Sequence, residues 1–332
     1  MMIVGLTYNL KKSNSDVEDW EAEYDSPQTV MAIQSAIEQA GHDTVLLEAV
    51  PERIRDFIDC GCDIVFNFAE GLEGRGREAQ IPALLSFLGI PYTGSDEVAL
   101  GIALDKTLTK QLVTANGITT PKFQLATRAT KKIKRDLRFP LIIKPNAEGS
   151  SKGIRESAVV NTPEQALQLL CELSHVYPGD FLIEEFIEGR EVTVGLLGNG
   201  DSIEVLPVLE TLFPHEDNFY SYRVKKHSDV FLQYDCPAQL DRLTLQKIEK
   251  ASRTVFSILR LRDVARMDFR IASDGIPYFL EVNPIPGLAP GFSDLPRICE
   301  ASGISYDSLI NRILNTALVR LGLMVPSTVQ VT

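Results

Sequence analysis

Tryptophan is almost missing from this 332-residue chain, which has one, and histidine and cysteine are scarce, at four and five. His42, His175, His215 and His227 are scattered without zinc-motif spacing, so they read as ordinary residues rather than ligands. Cys60, Cys62, Cys171, Cys236 and Cys299 are an odd number with no CxxC pair, which argues against a disulfide framework and for reduced thiols in the cytoplasm. No apolar run reaches 18 residues, and the opening M-M-I-V-G-L-T-Y lacks a basic segment before a long apolar stretch. Neither a membrane span nor a signal peptide is expected. Positive charge is also short: 33 Lys and Arg face 45 Asp and Glu, a net charge of −12. That balance argues against nucleic acid or an anionic membrane as the main partner, but a local basic pocket for a small anion is compatible with it.

What is present is an ordinary globular composition, 44% hydrophobic, in a chain long enough for two or three domains. Met2 to Leu6, Val45 to Leu47 and Asp63 to Phe68 read as strands. Between them, Ser26-Pro27 starts a helix with Ser at the N-cap and Pro at the first position, and Val30, Ile33, Ala36 and Ile37 mark its apolar face. This order predicts an open α/β sheet whose ligands meet the C-terminal strand ends, where Asn67-Phe68-Ala69-Glu70-Gly71 leads into G-L-E-G-R-G-R-E. Gly89 to Ser95 leaves that unit, placing a boundary near residue 94.

A second, smaller sheet begins after Pro121. Within it, P-L-I-I-K-P-N-A-E-G-S-S-K-G-I reads as strand, small-residue loop and strand. Gly149, Ser150, Ser151 and Gly153 leave backbone N–H groups open to phosphate oxygens, with Lys144 on the strand before them. Thr162-Pro163 caps a helix, and Phe181 to Ile187 returns as a strand whose Glu184 and Glu191 flank an interdomain crossing suited to an adenine. Thr211 to Phe231 lacks a period and reads as a lid carrying Lys225 and Lys226. Helices are expected over Leu240 to Leu261 and Ser305 to Leu321.

The most informative stretch is Val264 to Gly287. Asp274-Gly275 between two apolar-rich runs predicts a tight hairpin, with Ser273 facing Ile276, Asp268 facing Glu281 and Arg266 facing Asn283. Arg266, Asp268, Glu281 and Asn283 then share one face; Met267, Phe269, Ile271, Tyr278, Leu280 and Val282 share the other. Opposed carboxylates about 5 Å apart repel by roughly 3 kcal/mol at an effective dielectric near 20, so a cation belongs between them. Oxygen ligands of this kind suit Mg²⁺ completed by substrate phosphates. The alternative is a surface hairpin in which Arg266 neutralises the acids as an ion pair.

Five stretches in order, G-I-P-Y-T-G-S with the D-K beyond it, K-P-N-A-E-G-S-S-K-G, L-I-E-E-F-I-E-G-R-E-V-T-V, A-R-M-D-F-R and L-E-V-N-P-I-P-G, resemble D-alanine–D-alanine ligases of the ATP-grasp superfamily. The resemblance runs from about Gln28 to Pro296. It implies an α/β ATP-grasp fold: an N-terminal domain over 1–94, a central subdomain over 95–184, and a C-terminal subdomain over 185–332, with ATP between the last two. It implies that Lys106 and Lys144 contact ATP phosphates under the Glu148 to Gly153 loop. Glu184 and the Phe186-Ile187 backbone would hold adenine, Glu191 the ribose, and Lys225 the γ-phosphate. Asp268, Glu281 and Asn283 would bind two Mg²⁺, for which Mn²⁺ can substitute; Arg266 would stabilise an oxyanion and Ser150 position substrate. The activity implied is carboxylate activation as an acyl phosphate, then attack by an amine. The partners are small amino-acid and amine substrates, and a homodimer through the N-terminal domain is in the family's habit.

The sequence departs from the family on the amino-acid side. The usual glycine-rich first loop and its glutamate give way to Gly5-Leu6-Thr7-Tyr8-Asn9 and an acidic loop in which Glu23 or Asp25 replaces that glutamate. His-Gly becomes Asn67-Phe68, Lys226 follows the lid lysine, and near Gly287 only Ser293 offers a hydroxyl to a second substrate's carboxylate. Two further readings follow: a ligase of a specialised pathway joining an amino acid to another amino or imino acceptor, and an ATP-binding protein without turnover.

Overall fold

The computed structural model describes residues 1–11, 21, 23–149, 158–213 and 232–324. The first unit is β1 (Ile3–Tyr8), α1 (Pro27–Gln39), β2 (Asp43–Glu48), α2 (Ile54–Ile58), β3 (Ile64–Asn67) and α3 (Gln80–Leu88). Its three strands are parallel in the order β2-β1-β3, as strand–helix–strand alternation requires. The Ser26 hydroxyl accepts from the Thr29 N–H, and α3 stops at Gly89, whose φ of +70° a side chain would resist.

Two helices follow, α4 (Glu97–Leu104) and α5 (Lys106–Ala115), and then a four-stranded antiparallel sheet in the order β4-β7-β5-β6. Its elements are β4 (Phe123–Ala126), β5 (Leu141–Pro145), β6 (Val159–Val160), α6 (Pro163–Val176) and β7 (Phe181–Glu185). The third sheet holds β8 (Arg190–Leu197), β9 (Glu204–Val205), β10 (Leu209–Leu212), β11 (Gln233–Asp235), β12 (Val264–Ile271) and β13 (Pro277–Asn283). Between β11 and β12 runs α7 (Arg242–Ile258); α8 (Asp294–Ala301) and α9 (Tyr306–Arg320) close the chain. Thr211 and Leu212, expected in an irregular lid, are the end of β10; residues 214–231, the rest of that segment, lie outside the described residues. No helix among the described residues is long and apolar enough to cross a membrane.

The apolar face of α1 is core. Val30, Ile33, Ala36 and Ile37 join one buried cluster with Ile310, Leu314 and Ala317 of α9 and with Leu197 and Val264 of the third sheet. That face therefore cannot serve a second copy. Asp263, fully buried, ties the same parts together: its carboxylate accepts from the Gly94 N–H at 2.8 Å, Asn199 at 2.7 Å and Arg320 at 2.8 Å.

The β12–β13 hairpin differs from the expected one near its tip. Ile271 pairs with Pro277, Arg270 with Tyr278 and Phe269 with Phe279, and the Ala272 N–H donates to the Ile276 carbonyl at 3.1 Å, leaving Ser273, Asp274 and Gly275 as a three-residue loop rather than a two-residue turn. A bulge between Asp268 and Phe269 then makes Leu280 the extra residue, and beyond it Asp268 faces Glu281 and Arg266 faces Asn283, as expected. Phe279 therefore packs in the core, 5.7 Å edge-on from Phe269, where Leu280 and Tyr278 were expected. Tyr278 stands opposite Arg270, and Leu280 lines a cleft.

Candidate active site

That cleft has a volume of about 710 Å³ and is lined by all three units. The third sheet contributes Glu191, Thr193, Arg266, Asp268, Arg270, Leu280, Glu281 and Asn283; the second contributes Lys144 and Glu184 to Ile187; the first contributes Glu23, Asp25, Glu70 and Glu78. Sheets present alternate side chains on one face, so β8, β12 and β13 place a polar row over an apolar core.

On the hairpin, Arg266 grips Asp268 through Nε at 3.2 Å and Nη2 at 2.9 Å, while Thr193 and Asn283 donate to the same carboxylate at 2.8 and 3.1 Å. Burial and neighbouring Glu281 push Asp268 up against the pull of Arg266. Burial acts on Glu281 in the same sense, but Lys106, Lys144 and Arg266 outweigh it and hold this carboxyl down at about 2. Two carboxylates and an amide that directs its nitrogen to Asp268, leaving its oxygen for a ligand, form an oxygen donor set on one face. This set fits a hard divalent cation such as Mg²⁺.

Lys106 is fixed from behind. Asp105 caps α5 by accepting from the Leu108 N–H, and the amide of Asn146 bonds Asp105 and Thr107, tying α5 to the end of β5. The Lys106 ammonium then lies 3.4 Å from Glu281 and donates to the Glu148 carbonyl. Lys144 lies 2.8 Å from Glu184, and so does Lys110, from the other carboxylate oxygen. Burial lowers Lys110 to about 8, whereas Glu184 stays below its usual range because the two lysines outweigh its own burial. Glu184, expected to hold adenine, is thus engaged as the partner of two lysines and is 1% exposed. The sequence assigns Lys110 no role, since its partners Glu184 and Phe279 lie on distant strands.

The Phe186 N–H is donated to the Pro140 carbonyl, whereas no described backbone carbonyl accepts from the Ile187 N–H. Arg270 stacks 4.6 Å over the Phe186 ring and lies 3.6 Å from Glu191, which burial raises to about 7 against the pull of Arg270. Asn67 is not brought to the cleft: its side chain accepts from Thr7 at 2.8 Å and braces β1 against β3. Gly287 and Ser293 are cleft residues. The Ser293 hydroxyl accepts from the Ala289 N–H, and a Cβ on Gly287 would stand 2.8 Å from that hydroxyl. Glu23 and Asp25 both line the cleft, and Glu23 already accepts from Arg77 at 2.6 Å. Gly149 packs against Glu23, while Ser150, Ser151, Gly153, Lys225 and Lys226 lie outside the described residues.

Known proteins are similar to this chain in sequence and in fold. A family model described as the D-ala D-ala ligase C-terminus matches residues 111–315. An uncharacterized protein, y4sG, of Sinorhizobium fredii is 36% identical over 295 residues, 86% of each chain. The D-alanine–D-alanine ligase of Cupriavidus taiwanensis is 33% identical over 288 residues, 86% of this chain and 85% of that one. The crystal structure of D-alanine–D-alanine ligase from Bacillus anthracis complexed with ATP superposes with a TM-score of 0.76 at 25% identity, covering 98% of this chain and 100% of that one. The fold is ATP-grasp, the fold of ligases that use ATP and a divalent metal. The chain belongs to the D-alanine–D-alanine ligase family, ADP-forming ligases that make peptide C–N bonds.

Proposed function

We propose that this protein is an ATP-dependent carboxylate–amine ligase that converts a small amino acid to its acyl phosphate and joins it to an amine. The observation that carries this reading is the convergence, in one cleft, of Lys144, Arg266, Asp268, Glu281 and Asn283. Lys106 and Lys144 present positive charge to the phosphates of ATP. Asp268, Glu281 and Asn283 hold two Mg²⁺ ions, which supply charge neutralisation and Lewis-acid polarisation when bound. Ile187 offers a backbone donor to the base, and Glu191 accepts from the ribose. As the γ-phosphoryl group passes to the substrate carboxylate and the second substrate's amine displaces phosphate, Arg266 stabilises the oxyanion from a position fixed by Asp268. Walls from three units exclude water from the mixed anhydride.

We further propose a three-part division at residues 94 and 184, a cytoplasmic location, and no nucleic-acid or membrane partner. A homodimer formed through a surface other than the apolar face of α1 completes the reading. The altered amino-acid side, where Glu23 is tied to Arg77 and Asn67 to Thr7, motivates a second reading, a specialised acceptor in place of D-alanine.

The test is release of ADP and phosphate from ATP and Mg²⁺, first with D-alanine alone and then with pairs of amino acids and amino or imino acceptors, with mass spectrometry of products. Efficient D-alanyl-D-alanine formation and no other product would refute the specialised acceptor. Unchanged ATP with every pair would refute the ligase.

A further inference from the structure

An amine that attacks an acyl phosphate must first lose a proton, because at neutral pH most of it is an ammonium with no electron pair to give. The cleft excludes bulk water from the reacting carbon, so that proton passes to a group within reach of the amine.

Arg266 marks where such a group belongs. Its Nε and Nη2 are engaged by Asp268 at 3.2 and 2.9 Å, which leaves Nη1 to meet the oxyanion. Nη1 is also the nitrogen that faces Asp294, 3.6 Å from its Oδ2, near enough for charge attraction but beyond a good hydrogen bond. The oxyanion and the attacking nitrogen are bonded to one carbon, so a carboxylate beside Nη1 is beside the amine as well. Asp294 opens α8 directly after Ser293, lines the cleft, and keeps 17% of its side chain exposed, enough to hand a proton on to water.

Burial disfavours the Arg266 cation, but Asp268, Asp294 and Glu281 outweigh it and raise the guanidinium above its usual range. Two of those three acids are the metal carboxylates, which leaves Asp294. Elsewhere in the cleft Glu184 is held between two lysines, while Glu191 and Glu23 lie against Arg270 and Arg77. Asp25 is the rival, since it lines the cleft too, but among the described residues no ion pair joins it to Arg266. An acid in the first turn also stabilises its helix, a structural role that a test has to separate.

We infer that Asp294 is the general base that deprotonates the acceptor's ammonium. The ammonium gives one proton to Asp294, and the electron pair this frees forms the C–N bond to the acyl carbon. The tetrahedral oxyanion, held at Nη1, then collapses, the C–O bond to phosphate breaks, and the second N–H proton leaves with the phosphate. Asp294 returns its proton to water. The inference rests on the ligase reading and adds a catalytic residue to it.

Hydroxylamine separates the two, because it is largely unprotonated at neutral pH and traps an acyl phosphate as a hydroxamate without help from a base. Wild-type protein with ATP, Mg²⁺ and hydroxylamine is first offered D- and L-amino acids one at a time, and hydroxamates are read by mass spectrometry. Each donor found is then paired with ammonium acceptors at saturation: the same amino acids, proline and ethanolamine. Asp294→Asn and Asp294→Ser, each checked for a native urea midpoint, are expected to lose about a hundredfold or more in amide formation, so that the hydroxamate-to-amide ratio rises at least about tenfold. Asp294→Glu should recover part of the loss. A smaller rise in the ratio, whatever the fall in rate, overturns the inference and leaves the ligase standing; if one variant fails to fold, the other is read. A rise in Asp25→Asn and none in the Asp294 variants also overturns it and moves the base to Asp25. Hydroxamate from the wild type with no amide from any ammonium acceptor overturns the inference and keeps carboxylate activation. No hydroxamate from any amino acid removes the ligase reading and the inference with it.

Discussion

Lys110 gives the sharpest test of the phosphate side. It is fully buried, 2.8 Å from Glu184, and donates to the Thr120 hydroxyl at 2.7 Å and the Phe279 carbonyl at 3.3 Å. Together Lys110, Glu184 and Lys144 carry one net positive charge. Lys110→Met keeps the volume and removes a charge. Breaking a buried pair costs about 3–5 kcal/mol when it strands a partner. Here Glu184 keeps Lys144, Thr120 still donates to the Phe279 carbonyl, and the desolvation that lowers Lys110 to about 8 is relieved. The expected loss of stability is therefore only about 1–2 kcal/mol. The effect on ATP is larger, because the remaining Lys144–Glu184 pair is neutral. One unit charge at roughly 8 Å and an effective dielectric near 20 is worth about 2 kcal/mol, so the KM for ATP rises about 30-fold. Urea denaturation and ATP-dependent phosphate release measure the two effects. A KM within threefold of wild type would refute the account of the triad as a phosphate-facing charge.

Glu281→Gln removes one metal carboxylate and lowers turnover by orders of magnitude with the denaturation midpoint nearly unchanged; near-normal turnover counts against the metal site. Gly287→Ala brings a methyl group 2.8 Å from the Ser293 hydroxyl, so the KM for the second substrate rises several-fold while that for ATP holds; steady-state kinetics with each substrate varied decides it. Asp263→Ala strands Arg320 and the Gly94 N–H in the interior and costs about 3–5 kcal/mol in urea denaturation. Asp25, Glu78 and Glu191 all have folded values raised to about 7, so between their unfolded values and pH 7 the folded state binds more protons. Stability of the ligand-free protein therefore falls as pH rises through that window, and moving from pH 7 to pH 5 should raise it by at least about 1.4 kcal/mol, one pKa unit's worth. A flat or opposite trend in urea midpoints refutes the assignment of these acids as raised by burial.

Elements defined by local rules were legible. Ser26-Pro27 and Thr162-Pro163 start helices because a hydroxyl and a fixed φ suit the N-cap and first position, and both hydroxyls accept the expected N–H. Roles that depend on distant partners were not. Glu184 looked like a hydrogen-bond acceptor for a base, but α5 brings Lys110 beneath it and β5 brings Lys144 alongside, and no spacing in the sequence announces either. The Phe186 N–H looked open until Pro140 took it. Arg77 lies in the glycine-rich, charged run after β3, which gives it no partner on sequence, but packing buries it to 3%.

The hairpin shows how a wrong turn can still place the right site. With the observed three-residue loop and no bulge, Asp268 would face Leu280 and Arg266 would face Val282. Glu281 and Asn283 would then stand opposite core residues, because a one-residue slip sends every side chain to the other face. The two-residue turn read from Asp274-Gly275 avoids that slip by construction; the protein avoids it with the bulge, which absorbs Leu280 between two registers. The demands on the two faces explain why the bulge sits there. Toward the tip, Phe279 must meet Phe269 in the core, and toward the cleft Asp268 must meet Glu281; seven residues of regular β13 could not satisfy both. Because Leu280 is the extra residue, deleting it should join Phe279 to Glu281 in a regular ladder that keeps Phe279 opposite Phe269 and Asp268 opposite Glu281, so metal binding survives the deletion; loss of metal binding in a folded deletion variant would refute this register.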